Sequence, residues 1–138
     1  MLDTTNEAGA RAEERSRREE VAWLTTGRPD GQPQSVPVWF LWDGEAFLVY
    51  SRPGARTLRN IEANLKVNLN LNSNSTGGDV VRAECEAEVL PGASPAAEVG
   101  PYLEKYRDGI ERIGFDPDGF ARAYSVAIRA TPTRWRVR

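Results

Sequence analysis

Polar and apolar residues alternate with a period of two along much of this chain, and the longest such run is the clearest. Over residues 81–89, Val81, Ala83, Cys85, Ala87 and Val89 share one face and Arg82, Glu84, Glu86 and Glu88 the other. That predicts a strand with one side on a core and one in water, so the row of carboxylates reads as a solvated face rather than a catalytic site. Lys66 to Leu71 repeats the pattern, with Val67, Leu69 and Leu71 opposite Asn68 and Asn70. Val21 to Thr26 is β-branched and aromatic, Pro29-Asp30-Gly31 has turn chemistry, and Gln34 to Trp42 is apolar on both faces. A hairpin is expected there, its return strand covered on both sides. Asp43-Gly44 suits a tight turn into a third strand, Glu45 to Tyr50. Ser125 to Ala130 and Arg134 to Arg138 read as strand on either side of Thr131-Pro132-Thr133, which should bulge or turn the chain.

Between these runs the period changes. Asn6 to Glu20 carries Glu13 and Arg17, and Glu14 and Arg18, at the spacing that supports a helix. It has almost no apolar stripe, which predicts a solvated leader that packs loosely or covers a neighbouring subunit. A short helix opens after Ser51 and runs to Ile61. Ser94-Pro95 and Asp116-Pro117 are cap and first-turn pairs, and Gly100-Pro101 and Gly109 are expected to break the helical stretch between them. Six or seven strands, with short helices after the third and fifth, predict a mainly β protein built as a closed antiparallel barrel. Residues 1–20 then form a polar helical leader and residues 21–138 one barrel domain.

Composition narrows the chemistry. A chain of 138 residues that is 40% hydrophobic makes one globular domain. A net charge of −2 leaves no basic field for nucleic acid, so charge-based recognition must be local. Cys85 is the only cysteine and histidine is absent. An internal disulfide, a cysteine-rich zinc site and the commonest general base are excluded together, and no metal site is expected. On the apolar face of its strand, with no histidine to activate it, Cys85 reads as a buried structural thiol. Residues 1–20 hold no apolar signal core and no run is long enough to cross a bilayer, so a soluble cytoplasmic protein with no membrane partner is expected.

The sharpest candidate for chemistry is Ser51 to Ile61, SRPGARTLRNI. Arg52, Arg56 and Arg59 surround the opening turn of a helix, Ser51 and Thr57 add hydroxyls, and Gly54 lets the backbone approach an anion. A phosphate fits that description, as do arginines paired with surface carboxylates. Pro33 and Pro37 have no N–H to give to a ladder, so main-chain groups near Ser35, Val36, Pro37 and Val38 are left free. These could meet the polar edge of a heteroaromatic ring while Val38 and Trp39 pack on its face, or simply mark an edge strand relieved by proline.

The run VAWLTTGRPDGQPQSVPVWFLWDGEAFLVYSRPGARTLRNI, with GGDVV at Gly77 to Val81, KYRDGIERIG at Lys105 to Gly114 and YSVAIRATPTRWR at Tyr124 to Arg136, carries a family likeness. It resembles the pyridoxamine 5'-phosphate oxidase-like split-barrel superfamily, in particular its small flavin/deazaflavin oxidoreductases that use coenzyme F420. The resemblance implies a homodimer of split β-barrels with cofactor sites at the interface and a small-molecule substrate. It implies a cofactor phosphate at Ser51, Arg52, Arg56 and Thr57, and a ring along Ser35 to Val38. Many relatives carry lysine where Arg56 stands, a change that keeps the charge and alters the geometry. Trp135 and Arg136 are implied to reach a site across the dimer, and Arg11, Arg15, Arg59 or Lys66 to meet the glutamate tail of F420 unless they are solvated. The activity implied is hydride transfer between F420 and an organic acceptor. The alternatives are an FMN-dependent enzyme of the same fold and a non-catalytic F420 carrier. Tyr50, Tyr102, Tyr106 and Tyr124 are candidate proton donors, none of them placed by the sequence.

Overall fold

The computed structural model describes residues 2–138. Seven strands make one antiparallel sheet: β1 (Ala22–Gly27), β2 (Pro33–Val38), β3 (Leu41–Trp42), β4 (Phe47–Ser51), β5 (Lys66–Leu71), β6 (Val81–Leu90) and β7 (Val126–Val137). Their spatial order is β2-β1-β5-β6-β7-β4-β3, so β2 and β3, neighbours in sequence, sit at opposite edges. Only Trp39 and Phe40 join them. Three residue steps reach at most about 11 Å, and the sheet must curl until its edges nearly touch. The outcome is a mainly β half-barrel with short helices, closed at that point by the chain rather than by hydrogen bonds.

The alternating strands behave as expected. Ala83, Cys85 and Ala87 of β6 are buried, whereas Glu84, Glu86 and Glu88 are exposed. Burial pushes the Cys85 thiol up to about 12, which keeps it protonated and inert. β7 runs unbroken through Pro132, and its register on β6 slips between Glu84 and Cys85, the bulge that Thr131-Pro132-Thr133 requires. Trp135 packs against Trp42 and Phe47 with ring centroids 5.4 and 5.9 Å away.

Three expectations are corrected. Gln34 to Trp42 is not one covered strand, because β2 is an edge strand open to solvent and Val36 is 38% exposed. Its apolar residues had suggested two covered faces. Gly109 does not interrupt the helix that contains it: of α1 (Glu7–Arg18), α2 (Arg56–Ala63), α3 (Gly100–Arg112) and α4 (Pro117–Ala123), the third passes straight through it. A Cβ there would lie 3.1 Å from the Trp39 ring, so the glycine makes room for that indole.

The third correction concerns α1, which is not loosely attached. Ala12 and Ser16 are fully buried and Arg15 is 4% exposed. The Arg15 guanidinium donates to the carbonyls of Asp79 and Asn72 at 2.6 and 2.7 Å and pairs with Glu19, while Trp42 Nε1 donates to Glu13 at 2.8 Å. The buried face is built from Ala, Ser and a fully bonded Arg, which no hydropathy stripe reveals. Ser16 Oγ finds no hydrogen-bond partner among the described residues. Ser16→Ala is therefore expected to stabilise the fold by about 0.5–1 kcal/mol, through loss of an unsatisfied hydroxyl and better helix propensity. Chemical denaturation checks it, and a lower midpoint would show that Ser16 has a partner in solution.

Candidate functional site

Below the β2–β3 link the two edges of the sheet diverge. β3 pairs with β4 only at Leu41–Leu48 and Trp42–Phe47, so Val49, Tyr50 and Ser51 have no neighbour on that side. Across the gap stands the free edge of β2. Arg28 N–H donates to Gln32 O, and the alternation of an antiparallel ladder turns the main chain of Pro33, Ser35 and Pro37 outward. The prolines occupy the positions where a missing N–H costs least. Between these edges lies a cleft of about 490 Å³, within the range of small-molecule sites.

One end of the cleft is cationic. Ser51, Arg52, Ala55 and Thr57 line it where the Pro53-Gly54 turn, with Gly54 at φ 76°, swings the chain into α2. Ala55 caps that helix without a side-chain bond, and the amides of Arg56 and Thr57 have no acceptor among the described residues. Arg52, Arg56 and Arg59 take part in no ion pair there either, so the surface-carboxylate reading of these arginines is not what the fold adopts. The Arg52 guanidinium lies over the Tyr124 ring, 4.6 Å from its centroid. Asn60, only 2% exposed, donates to Thr26 Oγ1 and Gln34 Oε1 at 3.0 and 2.9 Å and thereby ties α2 to β1 and β2.

The other end is apolar and aromatic. Trp39 stacks on Tyr106 at 4.7 Å and on Phe120 at 5.6 Å, and Phe120 stacks in turn on Tyr124 at 4.7 Å. The β2–β3 link is held by α3: Tyr106 Oη accepts from Phe40 N–H at 2.8 Å and its hydroxyl donates to the Glu20 carbonyl at 2.6 Å. Lys105 Nζ donates to the Phe40 carbonyl at 2.8 Å, 3.9 Å from the Phe40 ring centroid.

Burial pulls the Lys105 ammonium down to about 8, against an opposing pull from Glu20 and Glu19. Its unfolded value is about 10.4, so the unfolded chain binds the extra proton between those limits. The cost of the buried ammonium is complete below pH 8 and lifts as pH rises. Thermal melting should show wild type gaining on Lys105→Met between pH 8 and about 10. Parallel curves would mean that Lys105 does not titrate in that window.

Of the residues singled out by sequence, the fold gathers Val36, Pro37, Val38, Ser51, Arg52 and Thr57 around the one cleft. Ser35 and Arg56 are not among its lining. Ser35 points to the opposite face of β2, its Oγ 2.7 Å from Thr25 Oγ1, and Arg56 is exposed at the first turn of α2. Arg15 is buried and bonded to Asp79, Asn72 and Glu19, and Arg11 pairs with Asp79 at the surface. Sequence reasoning did not find Leu24, Phe120 and Ile128, whose only signal was hydrophobicity, and left Tyr50, Tyr102 and Tyr124 unplaced.

Comparison with solved structures places this architecture among known ones. An F420 reductase is 24% identical, with 90% of this chain and 94% of that one covered and a TM-score of 0.67. The haem storage protein HutZ of Vibrio cholerae is 18% identical, with 96% and 95% covered and a TM-score of 0.67. A conserved hypothetical protein of Mycobacterium tuberculosis is 21% identical, with 96% and 83% covered and a TM-score of 0.74. At these identities the likeness is one of fold. No curated protein matches the chain in sequence. The profile of the pyridoxamine 5'-phosphate oxidase family matches residues 9–138, nearly the whole chain, and this protein belongs to that family.

Proposed function

We propose that this protein is a coenzyme F420-dependent oxidoreductase that passes a hydride between the deazaflavin and a small organic acceptor. One observation carries the reading: Arg52 and Arg56, free of carboxylate partners among the described residues, stand beside the open amides of α2, and Arg52 lines one end of a cleft whose other end is aromatic and largely apolar. Both chemical halves of a ring-plus-phosphate cofactor therefore find complementary groups. Ser51, Arg52, Thr57 and the α2 amides would hold the phosphate, with Arg56 adding charge from the first turn. The outward edge of β2 would meet the ring, Val36 and Val38 giving contact area and Pro37 only a carbonyl. When bound, F420 would supply the two-electron hydride chemistry, and the accompanying proton would come from solvent or a nearby hydroxyl. The residues around the cleft then orient the ring and exclude water, and the absence of histidine is no obstacle. The F420 reductase among the structural neighbours adds to this reading. Haem, named for another neighbour, would have to bind without its commonest axial ligand.

Two copies are inferred to pair across the β2 edge. Val36 is a large apolar residue exposed at that edge with the cleft open beside it, whereas Trp23 is exposed on the opposite face of the sheet. Parallel fluorescence titrations with F420 and FMN test the cofactor. Saturable preference for F420 supports the proposal, preference for FMN moves the same site to flavin chemistry, and binding of neither defeats both. Tight F420 binding without turnover across an acceptor panel would instead make the protein a carrier.

A further inference from the structure

Four tyrosines border or back the cleft, and their hydroxyls are not equivalent. Tyr50 donates to the Ser94 carbonyl at 2.8 Å, Tyr106 is taken up by Phe40 and Glu20, and Tyr124 receives Arg52 at 3.3 Å. Tyr102 lines the cleft, is 1% exposed, and its hydroxyl has no partner among the described residues. The ring is clamped edge-on by Tyr50 at 5.1 Å and packed by Tyr106 at 4.9 Å, so the hydroxyl is held in place before any ligand arrives. Burial, reinforced by Tyr106, Tyr50 and Tyr124, raises its pKa, and it stays a donor at any ordinary pH. Leu24, Val49, Phe120 and Ile128 of the same cleft offer no polar side-chain atom, and the hydroxyl proton of Tyr50, the ring beside Tyr102, is already given to Ser94. A ligand hydroxyl or amine would leave its own hydrogen unpaired among them, whereas a carbonyl oxygen brings an acceptor and nothing to satisfy.

We propose that the Tyr102 hydroxyl donates a hydrogen bond to the carbonyl oxygen of a flat conjugated ring bound in this cleft, either the cofactor's own ring or that of a second molecule. This deepens the oxidoreductase reading by naming a specificity contact, and its first test needs no F420. The probes are 9-fluorenone and fluorene, one ring system with and without the carbonyl, titrated against the fluorescence of Trp39 and its neighbours. Wild type is expected to bind fluorenone about three- to tenfold more tightly, the range of one net hydrogen bond, and Tyr102→Phe to erase that preference at an unchanged melting temperature. F420 is then titrated into both proteins. A matching loss in Tyr102→Phe assigns the carbonyl to the cofactor ring, and equal affinities assign it to a second molecule. If Tyr102→Phe alters neither the fluorenone preference nor F420 affinity, the assignment is overturned. Failure of wild type to bind F420 would sink the deazaflavin reading and leave the fluorenone comparison standing.

Discussion

Replacing Arg52 and Arg56 together by alanine is expected to weaken F420 binding by about two orders of magnitude, and Arg56→Ala alone by about tenfold. Each charge-assisted hydrogen bond to a phosphate is worth about 1.5–3 kcal/mol, and tenfold in affinity corresponds to about 1.4 kcal/mol. Neither guanidinium has a carboxylate partner among the described residues, so removing it leaves no orphaned counter-charge and the fold should hold. Arg52 does lose its stacking on Tyr124, an exposed contact worth about 0.5–1 kcal/mol. Arg52→Lys should restore charge but not the planar fork, and so recover only part of the affinity. The measurement is an equilibrium titration by cofactor fluorescence at fixed salt. An affinity that the double variant does not change would remove the phosphate from this end of the cleft.

Tyr106→Phe is expected to carry the largest stability loss, about 2–4 kcal/mol, because it strips a buried Phe40 N–H of its acceptor and the Glu20 carbonyl of its donor. For a domain of this size that lowers the melting temperature by roughly 5–15 °C. The consequence reaches the site, since this hydroxyl holds the link where β2 leaves one edge of the sheet and β3 joins the other. F420 affinity should fall with stability. Tyr102→Phe is the matched control: the same atom is removed from a neighbouring buried ring whose hydroxyl has no partner among the described residues. Similar melting temperatures for the two variants would mean that the Tyr106 tether contributes little.

Much of the site was legible because its signals are local. The run of arginines at the start of α2 needs only a turn and a helix to converge, and Pro33 and Pro37 mark a free edge wherever their strand lies. Ser35 was grouped with the cleft through its main chain, which turns to the free edge of β2, while the period of two sends its side chain to the face opposite Val36. Of the arginine-rich cluster, Ser51, Arg52 and Thr57 line the cleft and Arg56 does not. The leader helix was misjudged for a different reason: Ala12, Ser16 and Arg15 are buried, and none of them is a large apolar side chain.

By itself, then, the sequence determined which stretches are strands, which of their faces turn inward and where arginines gather at the start of a helix. All of these follow from patterns within about ten residues. Only the tertiary structure decided that the apolar run from Gln34 to Trp42 breaks at Trp39-Phe40, that the sheet curls shut there, and that one tyrosine hydroxyl of four is left without a partner among the described residues. Those outcomes rest on contacts such as Phe40 to Tyr106, 66 residues apart. A hydrogen bond of that span has no periodicity to betray it. It forms because a buried N–H must find an acceptor wherever the folded chain supplies one.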